Sequence, residues 1–144
     1  MKKQILAVAA LLGFFMLAAG PAQAQSSFKV NIPFSFAAGD ATLPAGEYIV
    51  QPPQIGGARA VVLQRIDGKA GAIVLGMPVQ TKEDKSVARL VFHRYDNRYF
   101  LATMWTMGSP HGLQLRESRR ETELAKNESA SEVTLLAMIS TPRR

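Results

Sequence analysis

The sequence predicts an all-β, mainly antiparallel fold: a small β-barrel or sandwich of about seven strands with one short C-terminal helix. Three observations predict it. Turn-forming residues interrupt the chain about every ten residues, residues 27–36 alternate between apolar and polar side chains, and Asp-Gly and Asp-Asn pairs each separate two apolar runs. Only one later stretch has a helix-forming pattern.

Composition agrees with a single globular domain. The chain has 144 residues, 47% of them hydrophobic, with 17 Lys+Arg against 11 Asp+Glu and no cysteine. These values exclude a disordered chain, a disulfide-stapled miniprotein and a cysteine-ligated zinc or iron–sulfur centre.

The first 24 residues have the three parts of a secretory signal peptide. Lys2 and Lys3 precede an apolar run over residues 5–19, and the small-x-small triplet of residues 22–24 follows. This run is shorter than the roughly 20 residues that span a bilayer. We therefore expect cleavage after Ala24, export to the periplasm or the extracellular medium, and one soluble β-rich domain over residues 25–144.

The N-terminal half of this domain predicts strands joined by tight turns. Residues 27–36 form the clearest strand, with an edge position or a bend at Pro33, which has no N–H to donate. Residues 47–51 form a short strand that ends at Pro52 and Pro53. Residues 60–66 and 69–77 flank Asp67-Gly68, which predicts a type I′ hairpin turn with two positive φ angles.

The C-terminal half predicts a central hairpin and then the helix. Residues 87–95 and 98–107 flank Asp96-Asn97 and carry apolar and aromatic side chains on both faces, so we expect them at the centre of the core. Ser118 with Glu121 is a capping-box signature for a helix over residues 119–126. Residues 132–139 predict the last strand.

Several segments, taken together, carry a resemblance to a known group of proteins. The chain resembles a family of small exported bacterial proteins of unknown function in residues 30–36 (VNIPFSF), 43–48 (LPAGEY), 90–95 (LVFHRY), 99–105 and 114–121. The resemblance implies export and a single domain, and it implies no activity.

Candidate catalytic residues are few. His93, in a predicted strand, and His111, in a predicted loop, are the two histidines of the chain, and an imidazole titrates near neutral pH as a general base requires. Glu47 is the one acid beside a strand core. A structural histidine and a solvated loop histidine are the simpler interpretations of His93 and His111.

Recognised motifs for other chemistry are absent from the sequence. There is no Gly-x-Ser-x-Gly elbow for a serine nucleophile, and no His-Glu-x-x-His, EF-hand, P-loop or dinucleotide-binding pattern. The sequence therefore predicts no cofactor and no metal site.

Positive charge is the remaining functional signal. Arginines are concentrated in the C-terminal half beside aromatic residues, a combination that binds anionic polymers and sugars in many folds. Export argues against nucleic acid as the partner and favours an anionic envelope polymer or another envelope protein. The candidate ligand-binding residues are Arg94, Arg98, Tyr95, Tyr99 and Trp105.

Three functional hypotheses follow from these features. We favour a non-enzymatic, exported binding or envelope-associated module. The alternative is a small hydrolase or isomerase that uses His93 or His111 with a nearby carboxylate. In a third hypothesis, the exposed edge near residues 28–36 pairs with another chain.

Overall fold

The computed structural model describes residues 27–51, 59–83 and 86–138. The predicted signal peptide and the proline pair at 52–53 lie outside these residues. The described residues form ten strands and one helix: β1 Phe28–Ile32, β2 Phe36–Ala38, β3 Ala41–Leu43, β4 Gly46–Gln51, β5 Ala60–Arg65, β6 Gly71–Gln80, β7 Arg89–Tyr95, β8 Arg98–Trp105, β9 His111–Leu115, α1 Arg119–Ala125 and β10 Ser131–Leu136.

The predicted all-β fold with one short helix is confirmed, with ten described strands in place of about seven. Two of the additional strands, β2 and β3, have three residues each. Within the described ranges, no helix is long and apolar enough to cross a membrane.

The strands form an open mixed sheet in the order β1-β4-β5-β6-β9-β8-β2-β3, with β7 paired to β8 and β10. Every ladder is antiparallel except the one between β2 and β8. Beyond the ladders, the Met138 N–H donates to the Lys29 carbonyl at 2.8 Å, so the chain after β10 meets β1 at a single bridge.

The β7–β8 hairpin lies at the centre of the core, as its two-faced pattern predicts. Leu90 and Phe92 are fully buried on one face of β7, where Phe92 contacts Phe36 edge to face with ring centroids 5.4 Å apart. On the other face, Tyr95 and Phe100 form a smaller cluster against Leu124 of α1. The hairpin therefore has a main core on one side and the helix on the other.

The strand predicted over residues 27–36 is interrupted. It divides into β1, which pairs with β4, and β2, which pairs with β3 and β8. The break falls at residues 33–35, because Pro33 cannot donate a ladder hydrogen bond and the Ser35 hydroxyl donates to the Leu43 carbonyl at 3.1 Å. Phe34 instead stacks on Tyr99, with ring centroids 3.7 Å apart.

The two hairpin turns differ from each other. The type I′ turn expected at Asp67-Gly68 is wrong, because of these two residues only Gly68 has a positive φ, of 73°. Arg65 pairs with Ala70 across a four-residue loop, and the Asp67 carboxylate accepts the Lys69 N–H at 3.0 Å. The expected two-residue turn at residues 96–97 is confirmed, since β7 and β8 pair up to residues 95 and 98.

The helix begins where its cap predicts. The Ser118 hydroxyl accepts the Glu121 N–H at 3.2 Å, and Ser118 is the N-cap of α1. In a complete capping box the glutamate side chain would return to the N–H of the cap residue. The Glu121 carboxylate points instead to the sheet, where it contacts β7.

Candidate functional site

His93 and Glu121 form a close polar contact between the sheet and the helix. His93 lies on β7 on the face that α1 covers, and its Nδ1 is 2.7 Å from Glu121 Oε1. An ionised carboxylate only accepts hydrogen bonds, so the contact is a hydrogen bond to such a carboxylate in the tautomer that has its proton on Nδ1. The Glu121 side chain is 4% exposed and that of His93 is 25% exposed. The contact therefore lies at the edge of the protein interior.

Tyr95 and Glu117 complete the surroundings of this contact. The Tyr95 hydroxyl donates to Glu121 Oε1 at 3.4 Å. Glu117 precedes the helix and is exposed, yet its carboxylate, the Glu121 carboxylate and the His93 ring offer ligand atoms within 4.8 Å of one another. We call His93, Glu117 and Glu121 the His–Glu cluster.

The pKa of the Tyr95 hydroxyl is affected by its buried position and by the nearby carboxylates. Burial raises the pKa of Tyr95 above its ordinary value, and the neighbouring carboxylates of Glu121 and Glu117 raise that pKa further. Both effects disfavour the phenolate. Tyr95 therefore stays a neutral hydrogen-bond donor to Glu121 through the physiological pH range.

The His–Glu cluster can hold a proton or a cation, but of its three residues Glu117 alone lines one of the cavities described below. Glu117 lies on the wall of a cavity of about 410 Å³ that Asp40, Arg116 and Ser118 also line. Four cavities within the described ranges have linings that do not include His93 or Glu121. A histidine held by a carboxylate is the arrangement of a general base, but none of these four cavities borders the His93 ring.

The other two candidate catalytic residues lie elsewhere. His111 is exposed at the start of β9, and its Nε2 lies 3.0 Å from Gln80 Nε2 on β6. Glu47 is exposed on β4, opposite Asn31 of β1. The structure brings neither of them into the His–Glu cluster.

The five candidate ligand-binding residues occupy four separate places. Arg94 lies over the Tyr99 ring, with its guanidinium carbon 5.7 Å from the centroid. Tyr95 is buried beside Glu121. At the far end of the hairpin, Trp105 lies under Arg89 at 5.5 Å. These residues alternate between the two faces of the hairpin, so they do not form one continuous binding surface.

The fifth candidate, Arg98, lies beside the helix α1. Arg98, Arg119 and Arg120 line an open cavity of about 520 Å³, with Phe100 and Leu124 also on its walls. We call this cavity the arginine cleft. The sequence shows the Arg119-Arg120 pair next to the capping signature, but the pairing of that helix with Arg98 depends on the fold.

The partners of the cleft arginines leave it positively charged. Arg98 donates to Glu128 at 2.8 Å, with 50% and 36% of the two side chains exposed. Arg120 donates to the Thr42 hydroxyl at 3.3 Å. Glu123, the one acid in the lining, pairs with Lys126 at 2.8 Å. Three arginines and one glutamate give the lining a net charge of +2.

An apolar cavity lies at the predicted interaction edge. It has a volume of about 580 Å³, and its walls include Phe28 of β1, Ile49 of β4 and Met138 after β10. Among residues 27–51, 59–83 and 86–138, the chain pairs with the free side of β1 at the Lys29–Met138 bridge. Pairing of this edge with another chain stays a prediction.

Comparison with known proteins gives no further assignment. No family model, no curated protein and no solved structure matches the chain. The functional conclusion therefore depends on the geometry of the described residues.

Proposed function

We propose that this chain is an exported, non-enzymatic β-domain that binds an anionic polymer of the cell envelope through the arginine cleft. The observation that carries the proposal is the convergence of Arg98, Arg119 and Arg120 on one open cavity. The polymer would present phosphate or carboxylate groups, which a guanidinium group recognises with two parallel hydrogen bonds.

The position of the cleft supports a polymer rather than a small buried ligand. Its arginines are on the outside of the sheet and helix, in water, where a single ion pair contributes little. Several charges on one cleft, matched by repeated charges on a flexible chain, add their contributions. Such binding is weakened by salt, because the screening length is about 8 Å at physiological ionic strength.

Export supports the choice of compartment. Residues 1–24 have the pattern of a signal peptide, and the exported segment would meet envelope polymers before any nucleic acid. The formal net charge of +6 for the chain becomes +4 over residues 25–144, since residues 1–24 contain two lysines and no acid. A cationic domain is attracted to anionic envelope material in general, and the cleft would localise that attraction.

Binding to isolated envelope fractions tests the proposal. A double variant, Arg119→Gln with Arg120→Gln, removes two charges from the cleft. A matched control, Arg94→Gln with Lys69→Gln, removes two charges outside its lining. Each cation near an anionic surface contributes about 1 kcal/mol, so we expect the cleft variant to bind about 5- to 30-fold more weakly at low salt. We expect the control to bind within about threefold of the unsubstituted protein.

The salt dependence gives a second measurement. The unsubstituted protein should lose affinity as sodium chloride is added, and the cleft variant should lose less, because it has fewer charges left to screen. Equal weakening of both double variants would show that total charge, rather than the cleft, governs binding. Unchanged binding in both variants and in high salt would overturn the electrostatic proposal.

A further inference from the structure

Glu121 is a buried carboxylate without a basic lysine or arginine partner in the described ranges. Its side chain is 4% exposed, and its polar contacts there are His93 Nδ1 at 2.7 Å and the Tyr95 hydroxyl at 3.4 Å. A buried charge is stable only when a partner compensates it. The remaining neighbour in the cluster, Glu117, carries a second negative charge.

The position of Glu117 adds a second carboxylate to the contact between His93 and Glu121. Its carboxylate lies in a group whose ligand atoms are all within 4.8 Å of one another. Two carboxylates at this separation repel, the more so beside a low-dielectric interior. The exposed Glu117 side chain could turn away into solvent, yet in the structure it lies toward the cluster. A bound cation would convert the repulsion into attraction to a common centre.

We propose that His93, Glu117 and Glu121 form a binding site for a divalent transition-metal ion, with Zn²⁺ as the ion that best suits its ligands. The site goes beyond the proposed binding of an envelope polymer and uses none of the cleft arginines. One imidazole and two carboxylates are a donor set that zinc accepts. Mg²⁺ and Ca²⁺ are bound almost entirely by oxygen ligands, so the imidazole disfavours them.

The distances in the cluster suit a tetrahedral ion. Ligand atoms about 2.1 Å from a tetrahedral zinc lie about 3.4 Å apart, between the 2.7 Å of the His93–Glu121 contact and the 4.8 Å limit of the whole cluster. Binding therefore needs the imidazole and the Glu121 carboxylate to separate slightly and Glu117 to approach. His93 would bind the ion as a neutral imidazole, with a lone pair on Nδ1 and its one ring proton on Nε2, because a histidine ligand must offer an unprotonated nitrogen.

Elements on both sides of the site give it rigidity and access. β7 holds His93, and the first turn of α1 holds Glu121, whose backbone is fixed by the Ser118 cap. Glu117 is exposed, and 25% of the His93 side chain is exposed, so an ion can reach the cluster from solvent. Three protein ligands leave the fourth position to water or to an external ligand.

Calorimetric titration of the purified full chain, stripped with EDTA, tests this site with zinc chloride as the probe. We expect one Zn²⁺ per chain, bound at least about tenfold more tightly than Mg²⁺. His93→Gln and Glu117→Gln should each weaken Zn²⁺ binding at least about tenfold. Circular dichroism checks that each variant folds. Because Glu117 is exposed, we expect Glu117→Gln to keep the fold, and it tests the site even if His93→Gln unfolds the protein.

Two matched variants control for adventitious binding. His111→Gln removes the other histidine, and Glu123→Gln removes an exposed acid of the same helix. We expect both to bind Zn²⁺ within about twofold of the unsubstituted protein. The proposal is overturned if zinc does not bind, if the His111 variant loses as much affinity as the His93 variant, or if both cluster variants bind normally. None of these results would affect the cleft variants, so the two proposals fail separately.

Discussion

Replacing Glu121 by alanine tests the contact that joins α1 to the sheet. Alanine leaves His93 Nδ1 and the Tyr95 hydroxyl without the carboxylate that they contact at 2.7 Å and 3.4 Å. A hydrogen bond to a charged group contributes about 1.5–3 kcal/mol, and a buried polar group without a partner costs about 1–3 kcal/mol. The hydrogen bond from the Tyr95 hydroxyl is long, so its loss should cost an amount near the lower limit of these ranges. We expect the free energy of unfolding to fall by about 2–4 kcal/mol.

Urea denaturation in EDTA, followed by circular dichroism, measures this loss without any contribution from bound metal. With a denaturant slope of about 2 kcal/mol per molar, the unfolding midpoint should fall by about 1–2 M. Glu123→Ala is the matched control, because Glu123 pairs with Lys126 at 2.8 Å while 70% and 60% of their side chains are exposed. Such a pair contributes about 0.5 kcal/mol or less.

A conservative variant separates the hydrogen bond from the packing. Glu121→Gln keeps an acceptor oxygen and nearly the same volume, so it should recover part of the stability that alanine loses. An alanine variant as stable as the Glu123 control, within about 0.5 kcal/mol, would show that the carboxylate does not hold the helix on the sheet. That result would refute the reasoning.

Two further predictions concern the sheet. Ala at Gly112 would place Cβ 2.6 Å from the Met104 carbonyl and 2.4 Å from the ring of Trp105, so it should destabilise the fold by about 1–3 kcal/mol and shift the fluorescence of this single tryptophan. Ala at Gly68, with nothing within 4 Å, should leave the emission unchanged, and equal spectra would contradict the clash. Burial raises the pKa of Tyr48. The stability that its neutral hydroxyl gives the folded state is therefore intact below about pH 10 and falls as the pH rises further. Tyr48→Phe should cost about 1 kcal/mol near neutral pH through the lost bond to the Pro44 carbonyl, and its stability should then fall less above about pH 10. Denaturation midpoints at both pH values check this, and equal alkaline losses would count against it.

Local patterns predicted much of the fold. The helix begins after Ser118 as its cap requires, and the hairpin of β7 and β8 turns at residues 96–97. These features depend on residues close together in sequence, whose backbone preferences act in any context. The type I′ turn predicted at Asp67-Gly68 is wrong, because the chain forms a longer loop there in which the Asp67 carboxylate accepts the Lys69 N–H.

The candidate sites could be predicted only in part. His93 was a candidate because of its residue type, but nothing in the sequence pointed to a carboxylate 28 residues away as its partner. Glu121 was assigned to the helix cap alone. Its side chain turns to the sheet, where the partly exposed His93 imidazole and the buried Tyr95 hydroxyl lie within hydrogen-bond reach. Contacts between residues that are distant in sequence carry no periodic signal.

The sequence by itself determined the β class, the helix α1 and its first residue, because alternation, turn chemistry and capping are local. Tertiary structure alone decided which charges share a site. The packing of α1 against β7 and β8 brings Glu121 to His93 and sets Arg119 and Arg120 beside Arg98. The physical reason is that the packing of Leu124 against Tyr95 and Phe100 fixes the position of the helix on the sheet. The polar side chains on the two sides of the helix then lie beside the sheet residues that occupy those positions.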